Sequence, residues 1–146
     1  MRLSAILLAA LLAGAIAPSV IAKAPEMRVE GAWIREAPPG ARVMSGYATL
    51  HNLGGRPDSL VGVTTEAADR VEMHTMSMHD GMMRMAPLQR LEVPAQGKVE
   101  LKPGETHLML MHPRKALQAG MKVPVTFTFA HAGRIRVMAP VRKVDE

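Results

Sequence analysis

Turn-forming residues cut this chain into segments too short for a helical bundle. Pro38-Pro39-Gly40, Asn52-Leu53-Gly54-Gly55, Asp80-Gly81, Pro94-Ala95-Gln96-Gly97, Lys102-Pro103-Gly104-Glu105 and Ala132-Gly133 each mark a reversal. Between them lie stretches with β character: Met27–Arg35, Val43–His51, Asp58–Thr65, Val71–Met78, Met82–Leu91, Lys98–Leu101, Thr106–His112, Lys122–Phe129 and Arg134–Ala139. Short strands at this spacing predict an all-β fold, a sandwich or barrel. Alternation is clearest near the end, where Val123, Val125, Phe127 and Phe129 share one face. A single helical turn is expected between Pro113 and Gly120. With one Trp, one Tyr and two Phe, aliphatic residues and Met must fill the core, and Trp33 and Tyr47 are expected to join them. The length, 146 residues, suits one domain.

The first 22 residues read as a secretory leader. Arg2 supplies a positive start, Leu3 to Ala17 is apolar and uncharged, and Pro18-Ser19 breaks the run. Val20-Ile21-Ala22 offers small residues to a signal peptidase, so cleavage is expected after Ala22, with Ala24 as the alternative. The reading is therefore a leader over 1–22 and one β-sandwich domain over 23–146, exported and with no membrane span after cleavage. Although an oxidising compartment permits disulfides, the chain contains no cysteine.

The formal charge of +5 comes from scattered basic residues without a basic run or an aromatic stacking platform. That pattern argues against a nucleic-acid partner. No Ser/His/Asp triad, phosphate loop or paired carboxylates stand out, so no enzyme activity is expected.

Methionine is the anomaly. Six of the thirteen fall between Met73 and Met85, in Val71-Glu72-Met73-His74-Thr75-Met76-Ser77-Met78-His79-Asp80-Gly81-Met82-Met83-Arg84-Met85. Asp-Gly between two β-like runs is a strong hairpin signal. A two-residue turn there sets His79 against Met82, Met78 against Met83 and Met76 against Met85. His74, Met76, Met78, Met83 and Met85 then share one face, with His74 diagonal to Met85. In Thr106-His107-Leu108-Met109-Leu110-Met111-His112, alternation sends Leu108 and Leu110 to the core and His107, Met109 and Met111 to the other face. Met73, Met83 and Met138 are expected to pack in the core, and Met76 is the best substitute ligand. His51, His79, His112 and His131 are expected at the surface.

Thioether sulfur is a soft, neutral donor that selects copper(I), and imidazole also suits copper. Such a set carries no negative charge and so disfavours hard dications. A blue-copper centre is excluded because it needs a cysteine.

The spacing His74-x10-Met85-x21-His107-x-Met109 resembles the metal-binding signature of the PCuAC family of periplasmic copper(I) chaperones. The surrounding text, including Leu101-Lys102-Pro103-Gly104, is similar from Val29 to about Pro140. The resemblance implies His74, Met85, His107 and Met109 as copper(I) ligands and a cupredoxin-like Greek-key β-sandwich. It implies a periplasmic location and delivery of copper to an acceptor such as cytochrome c oxidase subunit II or a Sco-like protein. A copper buffer or resistance protein with no dedicated recipient is the alternative function.

Overall fold

Ten strands form where the turn residues leave room for them: β1 (Met27–Arg35), β2 (Val43–Asn52), β3 (Asp58–Thr64), β4 (Ala68–His79), β5 (Met82–Leu88), β6 (Leu91–Val93), β7 (Gly97–Leu101), β8 (His107–Pro113), β9 (Lys122–Phe129) and β10 (Gly133–Arg142). The structure, a computed structural model, describes residues 18–19 and 26–144. The expected cleavage points after Ala22 and Ala24, and nearly all of the leader, lie outside the described residues.

One hydrogen-bonded path runs β5-β4-β8-β2-β1-β10-β9-β3-β6, with β7 added beside β2. The joint between its two halves is the parallel pairing of β1 with β10, Ile34 opposite Val141 and Arg35 opposite Arg142. The halves fold onto each other: Met44, Leu50, Met73, Leu108 and Leu110 from one side and Leu60, Val63, Val125, Phe127 and Phe129 from the other form a single apolar cluster. This is the expected all-β sandwich. Phe127, Phe129, Leu50 and Leu60 are fully buried in it. Each such side chain stabilises the fold by about 1.5–3 kcal/mol relative to an exposed one.

Three local expectations are corrected. The stretch Met82–Leu91 is two strands, because the chain leaves β4 after Leu88 and crosses to pair β6 with β3 in the other layer. Between Pro113 and Gly120 no helix forms; the segment is irregular, with Leu117 anchored in the core. A segment that short forms too few hydrogen bonds to offset helix nucleation.

The third correction concerns Trp33. The β1–β2 register shifts between Glu30 and Trp33, around Gly31 at φ +60°. An extra residue at such a bulge reverses the alternation beyond it. Met27 and Ile34 therefore both reach the core, and Trp33 turns to the outer face. There it stacks on its cross-strand partner Tyr47, ring centroids 4.6 Å apart. Tyr47 is buried as expected, but outside the core cluster.

Asp58 ties the far end of the sandwich together. Its carboxylate accepts the backbone N–H groups of Ser59 (2.7 Å), His131 (2.9 Å) and Ala132 (2.8 Å). Burial pushes its pKa up, but the N–H donors of Ala132, His131 and Ser59 outweigh that and hold it below the ordinary 3.8. A depressed carboxyl contributes stability above its unfolded pKa and loses it as pH falls through the folded value. Asp58→Ala is therefore expected to cost about 2 kcal/mol at neutral pH. In urea titrations, the gap between variant and parent should close as the medium is acidified below the ordinary aspartate pKa.

Candidate metal centre

The Asp80-Gly81 turn closes the hairpin as the dipeptide demands, with φ +49° and +75°. Two successive positive φ values match the twist of the flanking strands. The ladder that follows pairs His79 with Met82, Met78 with Met83, Met76 with Met85 and His74 with Pro87. This is the register expected from the sequence. On its other edge β4 pairs with β8: Met73 opposite Leu108, His74 opposite His107 and Glu72 opposite Met109. Since directly paired residues share a face, Met73, Leu108 and Leu110 enter the core. Glu72, His74, Met76, Met85, His107 and Met109 are left together on the outer face.

His74 and His107 face each other with ring centroids 6.4 Å apart. His107 is buried and the His74 side chain is only 15% exposed, so the pair is largely shielded although it lies on the outer face. The hydrogen bonds fix which nitrogens are free. His74 Nε2 lies 2.8 Å from Glu72 Oε2. Hydrogen bonds from His74 and from Arg70 hold the Glu72 carboxyl below its ordinary value. An ionised carboxylate only accepts, so Nε2–H donates to it and the neutral ring keeps its lone pair on Nδ1. That Nδ1 is buried and has no partner. For His107, Nδ1–H donates to the Glu105 carbonyl at 2.7 Å, which leaves the lone pair on Nε2. Arg70 Nε in turn donates to Glu72 Oε1 at 2.6 Å, so the orienting carboxylate is itself held. A buried nitrogen whose lone pair has no partner is costly unless something binds it.

Met109 lies beside this pair, two residues along β8 from His107 and diagonal to His74. Met85 lies on the opposite diagonal of His74, towards the hairpin tip, and is 49% exposed. The structure thus brings His74, His107 and Met109 together and places Met85 further out. On a flat sheet, two strand spacings and four residues of rise would separate Met85 from Met109 by about 16 Å. The hairpin must curl over the outer face before both sulfurs reach one ion. Among the described residues, no group of three or more histidine, cysteine or carboxylate side chains is placed to hold a metal.

Other expectations divide. Met73 is buried, but Met83 and Met138 are 55% and 53% exposed and do not pack in the core. His79, His112 and His131 are exposed and His51 is half-buried beside Glu30. Glu72 was not singled out from the sequence. Its position two residues before His74, on the same face of the strand, was the available signal.

Residues 27–141 match the family described as "Putative lipoprotein LpqE-like". The chain belongs to the LpqE-like family. Among its relatives is "Putative lipoprotein Lxx21020" of Leifsonia xyli subsp. xyli (strain CTCB07), 29% identical over 121 residues, which are 82% of this chain and 72% of that protein. The apo PCuAC domain from PmoF1 superposes with a TM-score of 0.70 at 27% identity, over 82% of this chain and 95% of that one. The solution structure of CuI-DR1885 from Deinococcus radiodurans is 31% identical, with a TM-score of 0.61, over 80% of this chain and 78% of that one. The LpqE-like chain thus has the cupredoxin-like β-sandwich fold of the PCuAC domains. The word lipoprotein belongs to the names of the family and of the Leifsonia xyli relative.

The tautomers provide a direct check. Long-range proton–nitrogen correlation spectra of the metal-free protein, at a pH where imidazole is neutral, should show His74 protonated on Nε2 and His107 on Nδ1. A His74 ring protonated on Nδ1 would remove that nitrogen as a donor.

Proposed function

We propose that this LpqE-like protein is an exported copper(I)-binding metallochaperone whose ligands are His74, Met85, His107 and Met109. The observation that carries the reading is the opposed histidine pair, with His74 Nδ1 buried and unpartnered and His107 Nε2 left unprotonated beside Met109. Two neutral nitrogens and thioether sulfurs form a shell without negative charge, which suits a soft monovalent ion. The PCuAC resemblance of the motif and the copper(I) form of DR1885 among the similar structures support copper as the cargo.

Copper is held here to be moved, and no catalysis is invoked. His74 and His107 are anchored in the β4–β8 ladder, and Met109 stands beside them on β8. Met85 rides on an exposed hairpin paired to the sheet only through β4. An acceptor's ligand can replace the Met85 sulfur first, then Met109, and withdraw the ion while the histidines stay in place. The signal-like leader supports a periplasmic setting for this exchange. The resemblance favours an acceptor in cytochrome c oxidase assembly, subunit II or a Sco-like protein.

Copper(I) titration against a competing chelator tests the site. The parent protein should bind one tight equivalent, and Met85→Leu with Met109→Leu should weaken it roughly 100-fold, about 2.7 kcal/mol. Unchanged binding in the double variant would reduce both methionines to packing. Glu72→Ala leaves every ligand in place but frees the His74 ring, and should weaken binding about tenfold, as losing a partner that orients a ligand does. Transfer separates carrier from buffer: a chaperone loses its copper to an apo-acceptor, whereas a buffer retains it.

A further inference from the structure

Four methionines line one face of the hairpin, and the proposed centre uses one of them. Met76 pairs with Met85, and Met78 pairs with Met83 one row nearer the turn. Met78 and Met83 are 65% and 55% exposed. Beyond this hairpin the exposed large apolar residues are Leu53, Val61, Met138 and Val144, which lie singly along the chain. Core packing therefore does not explain the row, since thioethers at this exposure bury little apolar surface.

We propose that Met76, Met78 and Met83 form a second, outer site for a soft monovalent ion, copper(I) or silver(I). Met78 and Met83 are a direct cross-strand pair, with Cβ atoms about 5 Å apart, and Met76 lies about 7–8 Å diagonally from Met83. Three rotatable bonds per methionine let the three sulfurs converge on one ion above the sheet. The charged Arg84 and polar Ser77 pair with each other on the opposite face of the hairpin. No charged side chain of β4 or β5 shares the Met face beyond Glu72 and Arg70, which bond to each other on the far side of His74. An uncharged thioether set gives little to hard dications and binds soft d10 ions. The Met78–Met83 pair lies two residues along the strands, about 7 Å, from the Met76–Met85 row, and so at the tip-facing side of the histidine pair. An ion captured at the exposed tip would pass inward from sulfur to sulfur, and in that role the outer site rests on the proposed copper-carrying function. Its existence does not.

Silver(I), which is redox-inert, tests the two sites separately in the mature chain with methionine methyl groups labelled with carbon-13. In the parent protein a first equivalent should shift Met109, and a second, weaker one should shift Met76, Met78 and Met83. Met78→Leu with Met83→Leu, a volume-conserving change at exposed positions, should keep the first equivalent and weaken the second roughly tenfold or more. In His74→Ala with His107→Ala, silver should still shift Met76, Met78 and Met83. If that response appears while the parent lacks a tight first equivalent, the outer site stands and the inner reading fails. Hairpin methyls that do not move at two equivalents, or a second equivalent unaffected by the leucine pair, would overturn the outer site.

Discussion

The hydrogen-bond ladder between β4 and β8 sets Met73 against Leu108 and His74 against His107, so the core and the proposed metal centre are specified by one register. Sliding β4 by a single residue would turn His74 into the apolar cluster and Met73 out to solvent, and sliding β8 would do the same to His107 and Leu108. Burial of Met73, Leu108 and Leu110 resists that slip. The histidines are held in place by the apolar residues that alternate with them, and this lets two polar rings sit nearly buried on an outer face. The remaining features of the site follow from the same alternation. Glu72 falls on the face of His74 and receives its Nε2–H, while Met109 falls on the face of His107.

In the proposed centre, Glu72 would serve a soft ion without joining its shell. As a ligand it would add negative charge and favour harder ions. Hydrogen-bonded to both Arg70 and His74, it instead decides which imidazole nitrogen points into the site. Met85 plays the opposite part. It rides on the hairpin at the end of the strand path and is 49% exposed, so core packing does not position it. The proposed site thus has one side anchored by hydrogen bonds to the histidines and one side, at Met85, open to solvent.

Much of this was legible in the sequence wherever a local rule acted alone. Asp80-Gly81 dictated the hairpin register through Met76 and Met85, and strict alternation placed Val123, Val125, Phe127 and Phe129 in the core. Alternation failed where a bulge intervened: the isolated Gly31 within the strand was the available signal, and only the assembled sheet shows that Trp33 has changed faces. Propensity also cannot see a chain change layers, which is why β5 and β6 read as one strand. Met83 and Met138 were misjudged because methionine's apolar character is the same on either face, and only the assembled sheet shows which face is covered. The tautomers depend on a carbonyl and a carboxylate whose placement only the fold provides.

The central claim is that copper(I) is held by imidazole nitrogens and thioether sulfurs together. X-ray absorption at the copper edge of the mature protein, loaded with one equivalent under reducing conditions, tests this most directly. The account predicts a first shell containing both nitrogen and sulfur scatterers, and loss of the nitrogen component in His74→Ala with His107→Ala. A first shell of oxygen and nitrogen without sulfur, or a spectrum unchanged by removing both histidines, would contradict it.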